Sequence, residues 1–203
     1  WKAQDIDRLA YPRSFQQLWP SHPVALLGWL KQHEPESYAR TGYVLMAHDY
    51  IRYCLTAEFT CEETNISGSQ LFNLQRNEFD PELFSIFGIE EMMGCMPKVI
   101  GSADLAGVVT TDAAALCGLK PGTPVFGGVF DVVGAAMTSG VYDNTQLSAV
   151  AGTWSIATRV FDNIIPAEYP YVWGKFSIPG QYFAHEGSPT SASNLTWFIN
   201  RFF

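Results

Sequence analysis

Four familiar signatures are missing from this 203-residue sequence: CxxC, the Walker P-loop, GxGxxG and GxSxG. Their absence removes the usual sequence marks of a redox dithiol, a nucleotide loop and a nucleophile elbow. The four cysteines, Cys54, Cys61, Cys95 and Cys117, match no zinc spacing. They read as buried, reduced thiols of a cytoplasmic protein. His22, His33, His48 and His185 form no metal-ligand pattern either. Bases are scarce, with 12 Lys and Arg against 20 Asp and Glu for a net charge of −8. Phosphate backbones are bound by clustered bases, so no nucleic acid partner is expected. No transmembrane helix or signal peptide is recognised, so no membrane partner is expected. Low-complexity tracts and short repeats are absent. There is no initiating Met, and "NLTWFINRFF" reads as a helix without a stop signal. Both ends look cut, so the chain is expected to be a piece of a longer protein.

What is present is apolar and patterned. Hydrophobic residues make up 47% and aromatic ones 14%, ample for a packed core. Residues 1–19 give no clear pattern. From Pro23, Val24, Leu27 and Leu30 recur at helical spacing, and Pro35 ends this helix or begins the next. Tyr43–Met46 reads as a short buried strand. A helix follows, with Asp49 as its cap and Tyr50, Ile51, Cys54 and Leu55 facing inward. A strand is expected around Gln70–Leu74. A helix then starts at an Asp80 cap with Pro81 in first position and stops at Gly88. Another covers Thr111–Cys117 and stops at Gly118. "PVFGG" reads as a strand buried on both faces, and "DVVGAAMTSG" as the helix after it. Beyond Asp143 the pattern turns to β: two strands around a Gly-Thr turn, then a hairpin turning at Pro179–Gly180, then a last helix. The whole is α/β, with a domain boundary placed after residue 143, giving 1–143 and 144–203.

Asp131 in "GGVFDVVGAA" is the one charge in an apolar run, placed where a strand gives way to a helix. Ligands bind outside the carboxyl ends of strands in open α/β sheets, and the positive end of a helix suits a carboxylate. Asp131 is therefore either a helix cap or a base that accepts a hydroxyl proton during phosphoryl transfer. In "AGTWS" the Gly-Thr turn at Gly152 and Thr153 can present backbone N–H groups to phosphate oxygens, or can be an ordinary hairpin turn. The polar stretches "EETNISGS" and "HEGSPTSASN" can line a sugar site or form solvated loops.

In their order, these segments resemble the FGGY family of carbohydrate kinases along nearly the whole chain. "SHPVALLGWLKQH" is similar to the family's first signature segment, departing at Leu26, where Lys is usual. "HDYIRYCLTAE" is similar to D-Y-L-x-x-x-L-T-G-E, with Ala57 for Gly. "EETNISGSQLFNL" resembles D-x-S-N-A-S-G, "GLKPGTPVFGGVFD" resembles G-L-x-x-G-T-P-V-x-x-G-x-x-D, and "AGTWS" falls on the family's G-T loop. Within the family, "HPVALLGWLKQHEPESYA", "VFGGVFDVV", "AGTWS" and "HEGSPTSASNLTWF" look most like the L-xylulose branch.

The resemblance implies two ribonuclease-H-like lobes of the actin and hexokinase type, with ATP and sugar in the cleft. Residues 1–143 would be the later part of the first lobe and 144–203 the start of the second. By position Asp131 is the family's general base, and Gly152 and Thr153 face the ATP phosphates. His22 and Trp154, with Asp131, are taken as sugar contacts. ATP and Mg²⁺ are the implied cofactors, and a homodimer of the full-length protein the implied assembly. The expected reaction is phosphorylation of a ketopentose, L-xylulose, on its terminal hydroxyl. The family's D-x-G-T hairpin and adenosine segment are not in this chain, so it is expected to be inactive alone. Three alternatives stand beside this reading: another sugar or polyol (D-xylulose, L-ribulose or glycerol), a non-catalytic sugar-binding protein derived from a kinase, and an interaction module.

Overall fold

A single 3-10 turn at Lys2–Gln4 precedes helix α1 (Asp7–Ser14), and α2 (Pro23–His33) follows, with His22 as N-cap and Pro23 in the first turn. Proline is free of cost there because that position has no helical N–H partner to lose. The computed structural model describes residues 1–152, 154–165, 171–188 and 190–203. It divides into two compact units, Trp1–Val129 and Phe130–Phe203.

In the first unit, α2 buries Val24 and Leu27 in the main apolar cluster, with Leu30 packed against it. Trp1 lies edge-on to Phe87 at 5.2 Å. Gly28 makes room for it, since a Cβ there would collide with the Trp1 ring. Glu34 then ends α2 and precedes α3 (Pro35–Ala39), so Pro35 starts a helix. The strand expected at Tyr43–Met46 does not form. Those residues are irregular and Tyr43 is half-exposed, with Val44 N–H donating to Cys95 O at 3.0 Å.

Helix α4 (Ala47–Thr56) corrects the expected facing. It buries Asp49, Arg52 and Thr56, while Tyr50 and Ile51 are 57% and 61% exposed. Its inward neighbours are polar: Arg52 donates to the carbonyls of Gly127 and Thr60, and Asp49 accepts from Glu62 N–H. Asp49 sits in the third helical position, where its carboxylate accepts from Met46 N–H.

Strand β1 (Thr60–Glu62) leads into α5 (Glu63–Ile66), β2 (Phe72–Asn73), β3 (Glu78–Phe79) and α6 (Pro81–Ile86), then β4 (Lys98–Ile100), which pairs parallel to β1. Strands β2 and β3 make a two-residue hairpin, shorter than the sequence reading. Asp80 caps α6 by accepting from Glu82 N–H at 3.1 Å, and accepts from Asn73 Nδ2 at 2.8 Å. Arg13 and Arg76 each approach it at 3.0 Å. β5 (Leu105–Val108), α7 (Thr111–Cys117) and β6 (Pro124–Phe126) complete the unit. β5 and β6 pair antiparallel. The expectation that β6 is buried on both faces fails. Val125 packs on α7, but Phe126, the next residue along the strand, points to the other face and is 52% exposed. Of the cysteines only Cys61 is buried; Cys54 and Cys117 are exposed. Burial pushes the Cys61 thiol well up, which keeps it protonated and inert.

The second unit begins with α8 (Asp131–Thr138) and continues as β7 (Ser148–Ala151), β8 (Ser155–Phe161), β9 (Val172–Lys175) and β10 (Tyr182–Ser188), closing with α9 (Ala192–Phe202). The sheet is antiparallel in the order β7-β8-β10-β9, and Gly180 at φ +84° turns the last hairpin. By compactness the units divide before α8, whereas the sequence reading divided them after residue 143. The reason is local: Phe130 packs on Phe183 at 6.3 Å and Ser177 Oγ reaches Met137 Sδ at 2.9 Å, tying the helix to this sheet. Among the described residues no helix is long and apolar enough to cross a membrane.

Asp80 gives a stability test. Burial works to raise its pKa, but Asn73, the Glu82 amide and Arg13 outweigh this and hold it below the usual carboxylate range. Its stabilisation is therefore present above the unfolded value near 4 and is lost as pH falls through the lower folded value. Asp80→Ala should cost about 3 kcal/mol in urea unfolding at pH 7, and Asp80→Asn should flatten the acid limb of the stability curve.

Candidate functional site

The backbone between β6 and α8 turns on Gly128, at φ +84°, where a side chain would be strained. Phe130 is the N-cap of α8, with φ −60° and ψ 142°. Asp131 is thus the first helical residue and not the cap. Its Oδ1 accepts from the adjacent Val132 N–H at 2.8 Å. The residue is exposed, and among the described residues Oδ2 accepts no hydrogen bond. The rear of α8 is fixed by full burial of Val133 and Ala136; Val133 alone contributes about 2 kcal/mol. A rigid helix therefore carries a carboxylate whose outer oxygen is open to a ligand.

Gly152 lies in the turn between β7 and β8, after the pair Ala151 and Ser155. Its N–H donates to Trp154 O at 3.0 Å, and its carbonyl accepts from Ala192 N–H, at the start of α9, at 3.1 Å. A Cβ on Gly152 would meet Trp154 O at 3.7 Å and Val150 Cγ1 at 3.9 Å, both ordinary contacts, and its φ is not left-handed. Among the described residues nothing requires glycine here. Close approach of a ligand to the backbone is a reason the fold does not supply. Trp154 is 44% exposed. Thr153 lies outside the described residues.

His22 belongs to the other unit. Its Nδ1 faces Gln70 Oε1 at 3.2 Å, and Gln70 Nε2 in turn donates to Asp7 Oδ1 at 3.2 Å. Burial lowers the His22 pKa, with Gln70 and the Asp7 charge opposing. Facing an amide oxygen, Nδ1 is the donor, which leaves Nε2 of the neutral ring as an acceptor.

The two polar stretches diverge. In "EETNISGS" most of the residues are buried: Glu62 is 0% exposed, and its carboxylate caps α5 through the N–H groups of Thr64 and Asn65. This stretch is an internal polar knot and not a solvated loop. "HEGSPTSASN" is exposed over most of its described residues. Sequence reasoning missed one group, the buried pair Arg52 and Asp49, 2.6 Å apart. The signal was available in Asp49, Arg52 and Thr56, polar residues at helical spacing, but the apolar face was assumed to point inward.

A cavity of about 340 Å³ on the second unit is lined by Arg159, Phe161, Trp173 and Glu186 among others. Arg159 pairs with Ala184, whereas Val160 pairs with Phe183, the residue under Phe130. Because strand residues alternate between faces, the cavity opens on the sheet face opposite α8. It does not serve Asp131. Among the described residues no three His, Cys, Asp or Glu side chains converge to hold a cation.

The profile described as the FGGY family of carbohydrate kinases, N-terminal domain, matches residues 1–138. A probable L-xylulose kinase of Pasteurella multocida is 48% identical over 202 residues, 99% of this chain and 42% of that protein. The L-xylulose/3-keto-L-gulonate kinase of Escherichia coli K12 is 48% identical over 199 residues, 98% of this chain and 40% of that protein. The chain thus spans about two fifths of the length of these relatives. Among solved structures, a ligand-bound xylulose kinase from Lactobacillus acidophilus matches with TM-score 0.90 at 18% identity, over 100% of this chain and 41% of that one. The Plasmodium falciparum glycerol kinase with ADP matches with TM-score 0.83 at 16% identity, over 98% and 40%. The fold is that of the actin- and hexokinase-like sugar kinases, and the chain belongs to the FGGY family of carbohydrate kinases.

Proposed function

We propose that this chain is the central part of an ATP-dependent kinase that phosphorylates L-xylulose on its terminal hydroxyl. Residues 1–143 are read as the later part of its first lobe and 144–203 as the start of its second. The observation that carries the reading is Asp131, an exposed carboxylate with an open oxygen at the head of a helix fixed from behind. The identity of 48% to L-xylulose kinases over almost the whole chain supports the choice of sugar.

In the proposed reaction Asp131 accepts the hydroxyl proton as the sugar oxygen bonds to the γ-phosphorus of ATP. The bond from that phosphorus to the β-bridging oxygen breaks, and ADP leaves. The transition state is loose, so the base needs little strength and acts mainly by placing the hydroxyl. Gly152, with Thr153 in the same turn, is read as the loop that meets the phosphates through its backbone. Trp154 offers an exposed apolar face to the sugar, and neutral His22 offers Nε2 as an acceptor. Mg²⁺ is the family's expected partner. The described residues form no cage for it. The reaction is placed in the cytoplasm, where ATP is available.

In the complete kinase, Asp131→Asn should lower kcat about 10³-fold. L-Xylulose affinity by calorimetry should change less than about threefold, because the amide keeps the shape and one acceptor. Unchanged ATP turnover in this variant would remove the proposal. Gly152→Ala should leave the melting temperature unchanged, because the added methyl meets only ordinary contacts, and should raise the KM for ATP about tenfold. A changed melting temperature with a normal KM would make Gly152 a folding residue.

A further inference from the structure

Strand β6 ends at Phe126, so the carbonyl of Gly127 has lost its strand ladder. It lies four residues before Asp131. Arg52, 75 residues earlier on α4, donates to it from Nη1 at 2.6 Å. The same guanidinium donates from Nη2 to Asp49 Oδ1 at 2.6 Å and to Thr60 O at 2.9 Å, and from Nε to Thr60 Oγ1 at 3.1 Å. Arg52 is 4% exposed and Asp49 0%. His48 Nε2 also lies 2.9 Å from Asp49 Oδ1. The clamp has a second jaw. Gly127 N–H donates to Asp104 O and Gly128 N–H to Ser102 O, each at 3.0 Å. Ser102 Oγ is itself held on Glu62 Oε1 at 2.7 Å. A Cβ on Gly127 would collide with Gly101 O.

Stability does not account for this arrangement. A buried ion pair is often matched or bettered by apolar residues of the same volume. What the pair achieves and an apolar pair cannot is to hold one backbone carbonyl at one point. That carbonyl sits where the chain departs toward the proposed base.

We propose that Arg52, oriented by Asp49 and Thr60, is a positioning residue for phosphoryl transfer, fixing the peptide at Gly127 from which the Asp131 segment departs. The proposal rests on the kinase reading above and touches neither substrate. Displacing the base by a fraction of an ångström lowers the rate of transfer more than it lowers sugar binding.

The test uses Arg52→Lys and Arg52→Met in the complete kinase, with Thr60→Val as a milder variant that removes one acceptor of Arg52 should the first two not fold. Amide hydrogen exchange across residues 126–132 should accelerate at least tenfold, while exchange in α6 stays unchanged. At a temperature well below melting, kcat per titrated active site should fall at least tenfold with the KM for sugar within about threefold. In an Asp131→Asn background the same Arg52 substitution should lower the residual rate less than twofold, because Arg52 acts through Asp131. Unchanged exchange at 126–132 overturns the proposal. So does an equal rate loss with and without Asp131, or a loss confined to the active fraction. A wild-type protein that transfers no phosphoryl group defeats the kinase reading instead, and the exchange measurement still decides whether the clamp exists.

Discussion

A carbonyl that runs past the end of its strand must find a donor elsewhere, and in the first unit that need falls on Gly127. Arg52 meets it from α4 and is itself held by Asp49 and Thr60. This one contact decides the facing of α4. The helix turns Arg52 inward to this carbonyl with Asp49 beside it, and Tyr50 and Ile51 are left outside. The rest of the polar knot follows. Glu62, fully buried, spends its carboxylate on the N–H groups of α5 and on Ser102, whose backbone carbonyl receives Gly128. The apolar cluster around α2 and α6 supplies burial, and the knot supplies a fixed path for the chain. Breaking one partner of such a pair costs about 3–5 kcal/mol, so the path is held firmly.

The second unit works by a simpler division. Its antiparallel sheet gives one face to α8 and the other to a cavity with aromatic walls. The helix is fixed by Val133 and Ala136, which leaves its first residue, Asp131, at the surface. Gly128 and Gly152 differ in kind. Gly128 is required by its own backbone, at φ +84°, whereas among the described residues nothing around Gly152 requires glycine. A glycine that the fold does not need is where a ligand's approach is the simplest explanation.

The sequence showed most clearly what local chemistry controls. The Asp80 cap with Pro81, the stops at Gly88 and Gly118, and the turn at Pro179–Gly180 each depend on one or two residues acting within a few positions. Asp131 could be singled out because a charge in an apolar run is visible without coordinates. What could not be read depends on partners far along the chain. Arg52 reaches across 75 residues, and nothing in "HDYIRYCLTAE" says that its polar face is the buried one. The strand expected at Tyr43–Met46 failed for the same reason, since its apolar composition came without a neighbouring strand to pair with. Whether Asp131 caps its helix was also beyond sequence, because the difference is a single residue of register.

The proposed reaction is transfer of the γ-phosphoryl group of ATP to L-xylulose in the complete polypeptide. The most direct measurement is a single-turnover experiment with enzyme in excess, following the phosphorylated sugar by ³¹P resonance. The expected product is a phosphate ester at the terminal carbon of L-xylulose, formed faster than with D-xylulose, L-ribulose or glycerol. Binding of both ATP and sugar without transfer to any of the four would contradict it, and would leave a sugar-binding protein on a kinase fold.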